Sequence, residues 1–519
     1  MLNNFWVNKN IIYNFGISNE EGRELLLYNV LNTKGVLADL ENKQAILLNK
    51  GNDSIKNKNS RLKEIIKLTS NFKLNNIDRG ALLKEKNDLE VALFSELPLL
   101  KPNDIKINQV SAELKQDSVL IEFIKLYKRD LTTHVTNEFH DIGDQYYAVI
   151  LYPNSNIDIL NIGEAYKIDS LISEVLISTE RQKPEAINLY KELSKLIVDP
   201  IISKTKGYKN WFLSPDGELN RVPFFGLFHN QSNKYLSEKI NIRLLTSGRE
   251  LLKLKPNKSI IRNKPLVVAN PSFNKKIKNR KTNISQFDKT VEMSKQRSVD
   301  LNFFDWSDLP GTAIEGKVIS KITNAKFLTG NEASVSEIEK QSAPLITHIA
   351  SHSYYLPNKQ KIKSDYDLKN KFKVPENPLL RSGIVLAGAN NQEVDKEDDG
   401  FLTALEVTKL NWEGTEMVVI SGCESGRGDI QSGEGVYGLK RAIAVSGAKS
   451  SLLSLWKVGD SETAAFMKSF YLKLLDGKGK AKALSLTQKE FRNHPIPGLR
   501  HPYVWAAFQL SGDWRPINW

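Results

Sequence analysis

Residues 416–426 read EMVVISGCESG. An apolar run is followed by two small residues, then by a cysteine, and then by a short stretch typical of a turn. Residues 345–353 read LITHIASHS, a second apolar run that ends at a histidine. Short continuous apolar runs are typical of strands buried on both faces of a parallel sheet. Such runs alternate with helical patterns through the last third of the chain. The sequence therefore predicts an α/β fold, with a mostly parallel sheet and helices on both faces.

The remainder of the chain divides into segments of different pattern. Residues 1–100 are predicted to be helical, because apolar residues recur there at intervals of three and four. Residues 105–252 carry short apolar strands separated by helices, which predicts an α/β lobe of their own. Residues 253–300 form a basic linker or insertion, and residues 301–519 form the lobe that contains both quoted stretches.

The composition indicates a globular protein that does not enter a membrane. Of the 519 residues, 40% are hydrophobic and 26% are charged, which is ordinary for such proteins. The first residues lack a secretory pattern, and no apolar run approaches the roughly 18 residues that span a bilayer. A single cysteine excludes an internal disulfide and fits a reducing compartment. We therefore expect a cytoplasmic protein.

The net charge of +13 is concentrated in two places. Lys253 to Arg297 contains thirteen Lys or Arg against two Asp or Glu, and Lys359 to Lys373 contains six Lys against two Asp. Both stretches are poor in apolar residues, and neither has the interleaved aromatic pattern of a stacking surface for bases. We do not expect nucleic acid as a direct ligand. The second stretch follows His352 and is a candidate gate, although a merely solvated loop explains it equally well.

His352 and Cys423 are the candidate reactive pair. Each follows an apolar strand, and ligands of open parallel sheets collect beyond the carboxyl ends of the strands. A thiol with a pKa near about 8.5 needs a base beside it, and His352 can supply one. The backbone amides of Cys423 and Ser353 are candidates to hold an oxyanion. The alternative is that Cys423 is a small buried core residue.

The other histidines do not suggest a metal centre. His348 shares the strand parity of His352, but it lies short of the strand end, so we interpret it as structural. Five more histidines lack metal-ligand spacing: His134, His140, His229, His494 and His501. We expect no cofactor and no metal.

The chain from about residue 105 to 513 resembles the CHAT domain family. The matching pieces occur in the family's order: DSVLIEF, LSPDGELNRVPFFGLF, DLPGTAIEGKVIS, THIASHS, SGIVLAG, DGFLTALEV, VVISGCESGRGDIQSGEGVYGLKRAIAVSGAKSSLLSLWKVGDSETAAFMKSFY and HPYVWAAFQLSGDW. The resemblance implies a fold similar to those of caspases and separases, and a cysteine peptidase domain that is often attached to tetratricopeptide repeats. The lobe at 105–252 would then be a degenerate, non-catalytic partner.

The resemblance implies particular roles for residues of this chain. His352 and Cys423 would be a catalytic dyad that cleaves a protein substrate under the control of a partner protein. Asp460 would line the substrate pocket and favour Arg or Lys on the acyl side of the cleaved bond. It could equally be a first-turn acid of the following helix, and Asp399 and Glu424 are alternatives for the pocket.

One position departs from the family's pattern. Ser353 stands where the family usually has a glycine after the histidine, and serine has poor access to positive φ. The rival hypothesis is therefore a catalytically silent interaction module that has kept the CHAT fold. SGCESG also differs from the caspase pattern, so cleavage after Asp is not implied.

Overall fold

The structure is a computed structural model, which describes residues 11–71, 79–96, 102–129, 141–253, 262–274, 305–356, 377–391, 398–422, 425–431 and 435–519. The helices are α1 (residues 11–18), α2 (Gly22–Thr33), α3 (Val36–Lys50), α4 (Asp53–Ser70), α5 (Arg79–Glu96), α6 (Ile107–Ala112), α7 (Ala165–Glu180), α8 (Ala186–Ile197), α9 (Asp199–Lys204), α10 (Pro310–Thr323), α11 (Val335–Glu339), α12 (Ala404–Val407), α13 (Leu439–Val445), α14 (Asp460–Leu475), α15 (Lys480–Arg492) and α16 (Pro502–Trp505).

The strands are β1 (Ser118–Arg129), β2 (Asp141–Leu151), β3 (Ile157–Glu164), β4 (Asn210–Ser214), β5 (Phe228–His229), β6 (Lys234–Tyr235), β7 (Asn241–Leu244), β8 (Leu266–Pro271), β9 (Lys326–Gly330), β10 (Ile346–Ala350), β11 (Ser353–Tyr355), β12 (Ser382–Val385), β13 (Phe401–Thr403), β14 (Met417–Ile420), β15 (Gly428–Gln431), β16 (Gly435–Gly438), β17 (Ser450–Ser454) and β18 (Phe508–Gly512). Short 3₁₀ turns cover Gly217–Arg221, Phe224–Gly226, Asn230–Ser232, Leu236–Glu238, Gly248–Lys253, Pro378–Leu380 and Pro497–Arg500.

One sheet of eleven strands runs through the molecule in the order β3-β2-β1-β4-β7-β18-β17-β14-β10-β8-β9. Strands β1, β4, β7 and β18 are parallel to one another, and so are β17, β14, β10, β8 and β9. Strands β17 and β18 pair antiparallel. The two parallel groups therefore point in opposite directions, and their carboxyl ends lie at opposite edges of the sheet.

Helices cover both faces of this sheet. On one face, buried side chains of β1, β4 and β14 pack with those of α7, α8, α14 and α15. On the other face, α11, α12 and α13 cover the strands of the second lobe, the region from residue 301 onward. In the first lobe, residues 105–252, Leu26 and Val30 of helix α2 pack on β1 and β4. The predicted α/β fold with a mostly parallel, doubly covered sheet is confirmed.

The helical N-terminal region is tied to both lobes through α3. Glu41 Oε1 lies 2.9 Å from Arg441 Nη2 in α13, and Asp39 Oδ2 lies 2.9 Å from Arg249 Nε after β7. Helix α4 adds an ion pair of 2.7 Å between Lys67 Nζ and Glu339 Oε2 of α11. Helices α3 and α4 are therefore packed against the lobes.

One helix is shorter than the pattern predicts. The pattern of GVYGLKRAIAVSG, with its terminal glycine, predicts a helix from residue 435, but Gly435–Gly438 is a strand that pairs antiparallel with Gly428–Gln431. The helix itself begins at Leu439. Glycine weakens a helix by about 1 kcal/mol per residue, so the glycines at 435 and 438 favour the hairpin.

Both predicted basic stretches fall largely outside the described residues. Of residues 253–300, the structure describes 253 and 262–274, which include β8; residues 357–376, with the candidate gate, are not described. Among the helices that the structure describes, none has the length and apolar character needed to cross a bilayer.

Candidate active site

His352 lies two residues beyond β10, at the carboxyl edge of the second lobe. Its ring packs against the rings of Phe273 and Trp306, with centroids 5.3 and 5.2 Å away. His352 Nε2 lies 2.8 Å from the carbonyl oxygen of Ser307. A carbonyl can only accept, so in the neutral ring Nε2 carries the hydrogen and Nδ1 keeps the lone pair.

Burial lowers the pKa of His352 below its ordinary value of 6.5. The hydrogen bond to Ser307 and the charge of Asp460 act in the opposite direction, whereas the charge of Lys457 lowers the pKa further. The side chain is 9% exposed. The imidazole is therefore neutral at pH 7, and it can accept a proton at Nδ1.

Gly422 brings the strand before Cys423 against the residues on either side of His352. Strands β10 and β14 are direct neighbours and pair in parallel, as the sequence predicts. A Cβ atom on Gly422 would lie 2.4 Å from the carbonyl oxygen of Ser351 and 3.0 Å from Ser353 Oγ. Backbone can approach this closely only where there is no side chain, so glycine is required here.

Two serines hold the chain before and after Cys423. Ser454 Oγ, at the end of β17, donates a hydrogen bond to Gly422 O. Ser425 Oγ donates to Ile420 O at 2.9 Å and accepts from Ser454 N at 3.0 Å. Cys423 and Glu424 themselves lie outside the described residues. The roles predicted for Cys423 accordingly stay predictions.

Ser353 is the first residue of β11, which pairs antiparallel with β12. The φ angle of Ser353 is not positive, so its backbone has a conformation that any residue can adopt. Val385 N donates to His352 O at 2.9 Å. Amides alternate in direction along an antiparallel strand, so the amide of Ser353 is directed to the side away from β12.

Asp460 is the first residue of α14, and it lines a small cavity next to Ser351, the residue before His352. The walls of this cavity include Ser351, Gly422, Ser454 and Trp456. Both readings of Asp460 are thus compatible with the structure: it is a first-turn acid and it faces the space next to Gly422. Asp399, an alternative for the pocket, is not in this lining and accepts a hydrogen bond from Phe401 N at 2.9 Å.

His348 is fully buried and bonded on both sides. Its Nε2 lies 2.9 Å from Glu315 Oε1 of α10, and its Nδ1 lies 3.2 Å from the hydroxyl of Tyr471 in α14. These contacts support the structural interpretation of this residue. No group of three or more metal-ligating side chains occurs among the residues that the structure describes.

The sequence did not reveal the residues that orient the imidazole. Trp306 and Ser307 belong to a segment anchored on Asn390, whose Oδ1 accepts from Trp306 N at 2.9 Å and whose Nδ2 donates to Trp306 O at 3.0 Å. The acceptor for His352 is a backbone carbonyl, and any residue type can provide one. The aromatic residues of FFDW, at 303–306, are the one signal that the sequence offers.

The structure and sequence are similar to known proteins. Residues 188–513, well over half of the chain, match the family model described as CHAT domain. Tetratricopeptide repeat protein 28 of Homo sapiens is 24% identical over 323 residues, and that of Mus musculus 22% over 327 residues. These matches cover 60% and 58% of this chain but 12% of each relative, so the chain spans about an eighth of their length.

Among solved structures, the Saccharomyces cerevisiae separase–securin complex aligns with 85% of this chain and 32% of that chain, at 11% identity and a TM-score of 0.41. The Arg-specific cysteine proteinase gingipain R aligns with 68% of this chain and 76% of that chain, at 10% identity and a TM-score of 0.32.

The sheet and the pocket around His352 define an α/β protein with a neutral, oriented imidazole at the carboxyl ends of parallel strands. With the family model matched over residues 188–513, the chain belongs to the CHAT domain family. The family predicted from the ordered sequence motifs is thereby confirmed.

Proposed function

We propose that this chain is a cysteine endopeptidase that cleaves a protein substrate through Cys423 and His352. The observation that carries the proposal is the contact of Gly422, the residue before Cys423, with Ser351 and Ser353, the residues on either side of His352. This contact favours a short reach between the thiol and the imidazole. The chain belongs to the CHAT family, which resembles caspase-like peptidases, and this resemblance also supports the proposal.

In the proposed reaction, Nδ1 of His352 takes the proton of the Cys423 thiol. The thiolate attacks the carbonyl carbon of the substrate, and the imidazolium then gives its proton to the leaving amine as the C–N bond breaks. Water, deprotonated by the same nitrogen, releases the acyl group from sulfur. The Ser307 carbonyl keeps the ring oriented and stabilises the imidazolium between the two steps.

The tetrahedral oxyanion requires hydrogen-bond donors, and we assign them to the backbone amides of Cys423 and Ser353. The ladder geometry of β11 supports the role of Ser353, because it turns this amide away from β12. Removing one such donor costs about 3 kcal/mol of transition-state stabilisation. The backbone of Ser353 is outside the positive-φ region, so serine adopts this conformation without strain.

Asp460 is proposed to select a basic residue on the acyl side of the cleaved bond. Its place in the wall of the cavity beside Gly422 supports this role. Asp460→Asn should then slow cleavage after Arg and Lys by at least about tenfold, the amount expected for loss of one charge-assisted hydrogen bond. Peptide libraries that vary this residue would measure it, and an unchanged preference for Arg and Lys would contradict the assignment.

Binding of a regulatory protein and a cytoplasmic location complete the proposal. The curated relatives are named for tetratricopeptide repeats, which are repeats that present extended binding surfaces. A free thiol stays reduced in the cytoplasm, as a cysteine nucleophile requires.

The decisive experiment uses the single cysteine of the chain. An alkylating thiol probe can label only Cys423, so the rate of labelling reports its reactivity without ambiguity. We expect rapid labelling near pH 7 that slows markedly in His352→Ala. A matched variant, His229→Ala, removes a histidine of the first lobe and should label like the wild type.

Cleavage itself is tested by a proteomic search for new protein termini with the wild type and with Cys423→Ala. We expect termini that depend on Cys423, with circular dichroism showing that the variant is folded. A fully active Cys423→Ala protein would overturn the proposal. Slow labelling that His352→Ala leaves unchanged would instead favour the silent interaction module.

A further inference from the structure

A cleft at the opposite edge of the sheet is lined by α3, by the chain after β7, and by the ends of α13, β17 and β18. The carboxyl ends of β4 and β7 lie at this edge, as those of β10 and β14 lie at the edge that carries His352. Ligands of parallel sheets collect at such ends. The cleft is therefore the position in the first lobe that corresponds to the candidate active site in the second.

The cleft is rich in cations. Five positively charged residues and three acidic residues line it: Arg249, Lys253, Lys440, Lys449, Arg515, Asp39, Glu250 and Asp513. The guanidinium of Arg515 pairs with Asp513 at 2.9 Å, and Lys449 Nζ lies 2.8 Å from Glu416 Oε1. Burial raises the pKa of Glu250, and the charge of Lys253 acts in the opposite direction. The lining is thus net positive.

Two of these cations, Arg249 and Lys440, can each form a further hydrogen bond or ion pair. Arg249 is 4% exposed; its Nε lies 2.9 Å from Asp39 Oδ2, but its Nη1 is buried without a hydrogen-bond partner in the described part of the chain. Lys440 lines the same cleft and forms no ion pair with a described residue. Burial lowers its pKa to about 8, and the charge of Glu250 acts in the opposite direction. A buried donor without an acceptor is costly, and an anion in the cleft would satisfy Arg249 Nη1 while pairing with the partly exposed Lys440.

An apolar wall completes the cleft. Ala38 of α3 faces Ile443, Ala444 and Ala448 at the end of α13. A ligand that fits both walls has an anionic end for the two cations and an organic part for the alanines and isoleucine. Arginine binds tetrahedral phosphate through paired N–H groups.

We propose that this cleft binds a small organic phosphate, held by Arg249 and Lys440, between the N-terminal helices and the two lobes. The ligand would touch α3, the first lobe and the second lobe at once. The proposal is independent of the proposed peptidase activity, because its test measures binding and requires no cleavage.

The test is titration calorimetry of the full chain with AMP and with inorganic phosphate, at constant ionic strength set by chloride. We expect saturable binding of both, tighter for AMP because of its organic part. Lys440→Met should weaken binding by at least about tenfold, as for loss of one charged hydrogen bond. Arg249→Gln should do the same, and Lys482→Met, an exposed lysine of α15, should not.

Each outcome decides the proposal. Lys440 is partly exposed, so Lys440→Met should fold even if Arg249→Gln, which breaks the buried contact with Asp39, does not. Absence of saturable binding up to about ten millimolar, the weakest range that carries biological meaning by affinity arithmetic, would overturn it. Equal binding by wild type and Lys440→Met would do so as well. Citrate binding without phosphate binding would overturn the assignment of phosphate.

Discussion

The two parallel groups of strands end in opposite ways. Beyond the second lobe's strands, His352 keeps Nδ1 as an acceptor, and a small cavity lies next to the adjacent Ser351. At the corresponding edge of the first lobe, a lysine that follows α2 covers the end of β4 next to the cleft: Lys34 Nζ lies 2.9 Å from Glu122 Oε2 and donates to Ser214 O at 2.8 Å. Both groups of parallel strands have the same geometry. The side chains that follow the strands therefore decide whether a strand end carries a reactive group or a buried ion pair.

The ion pair of Lys34 and Glu122, called the plug below, is fully buried, and all three N–H groups of the lysine have acceptors. Lys34 also donates to Phe123 O at 3.0 Å, and the second oxygen of Glu122 accepts from Gly248 N at 2.5 Å. A buried pair of this kind adds little relative to an apolar pair, but breaking it on one side is costly. The comparison therefore predicts that the first edge matters for stability and the second for chemistry.

The largest effect on stability is expected from Lys34→Met. It leaves the carboxylate of Glu122 buried without its cation, which costs about 3–5 kcal/mol of the free energy of unfolding. Urea denaturation would measure the loss. Lys482→Met is the matched control and should change stability by less than about 0.5 kcal/mol. A loss below about 1 kcal/mol for Lys34→Met would contradict the plug, since exposed pairs contribute no more than that.

A smaller loss, joined to a chemical defect, is expected from Gly422→Ala. The new Cβ would lie 2.4 Å from the Ser351 carbonyl, so β10 and β14 must separate, at about 1–3 kcal/mol. Labelling of Cys423 by the thiol probe should slow at the same time. Gly498→Ala serves as control, because a Cβ there meets nothing within 4 Å. Normal stability and normal labelling in Gly422→Ala would break the link between this contact and the site.

The imidazole at the second edge should titrate below its ordinary range. Burial lowers the pKa of His352, so the neutral base persists below pH 6.5 and is lost only as the pH falls further. Nuclear magnetic resonance titration, assigned with His352→Gln, would show this. Trp306→Ala uncovers one face of the ring and should move the pKa upward. A wild-type pKa at or above 6.5 would rule out burial as the dominant influence.

The smallest effect is expected where the N-terminal helices reach the second lobe. Lys67 and Glu339 are both partly exposed, so Lys67→Gln should cost less than about 1 kcal/mol. The same denaturation measurement would compare it with Lys34→Met. A cost equal to that of Lys34→Met would mean that both lobes depend on these helices alike, against the contrast drawn above.

Much of this arrangement follows from the sequence. The runs EMVVISG and LITHIAS predicted neighbouring parallel strands, and β14 and β10 do pair, because apolar runs of this kind are stable only when both faces are buried. The reversal of direction between β17 and β18 could not be predicted, since strand order depends on long-range pairing that no local pattern encodes. The Ser307 carbonyl was missed for another reason: a backbone acceptor has no residue signature.

Strand β18 has a consequence for how the protein is made. It is the last strand along the chain, yet it lies between β7 and β17, where a single parallel pair, Ser511 with Leu244, joins it to the first lobe. During synthesis the two halves of the sheet must wait for residues 508–512 to leave the ribosome before they can be joined. Until then each half presents an open strand edge, and nascent chains will need protection from pairing with one another.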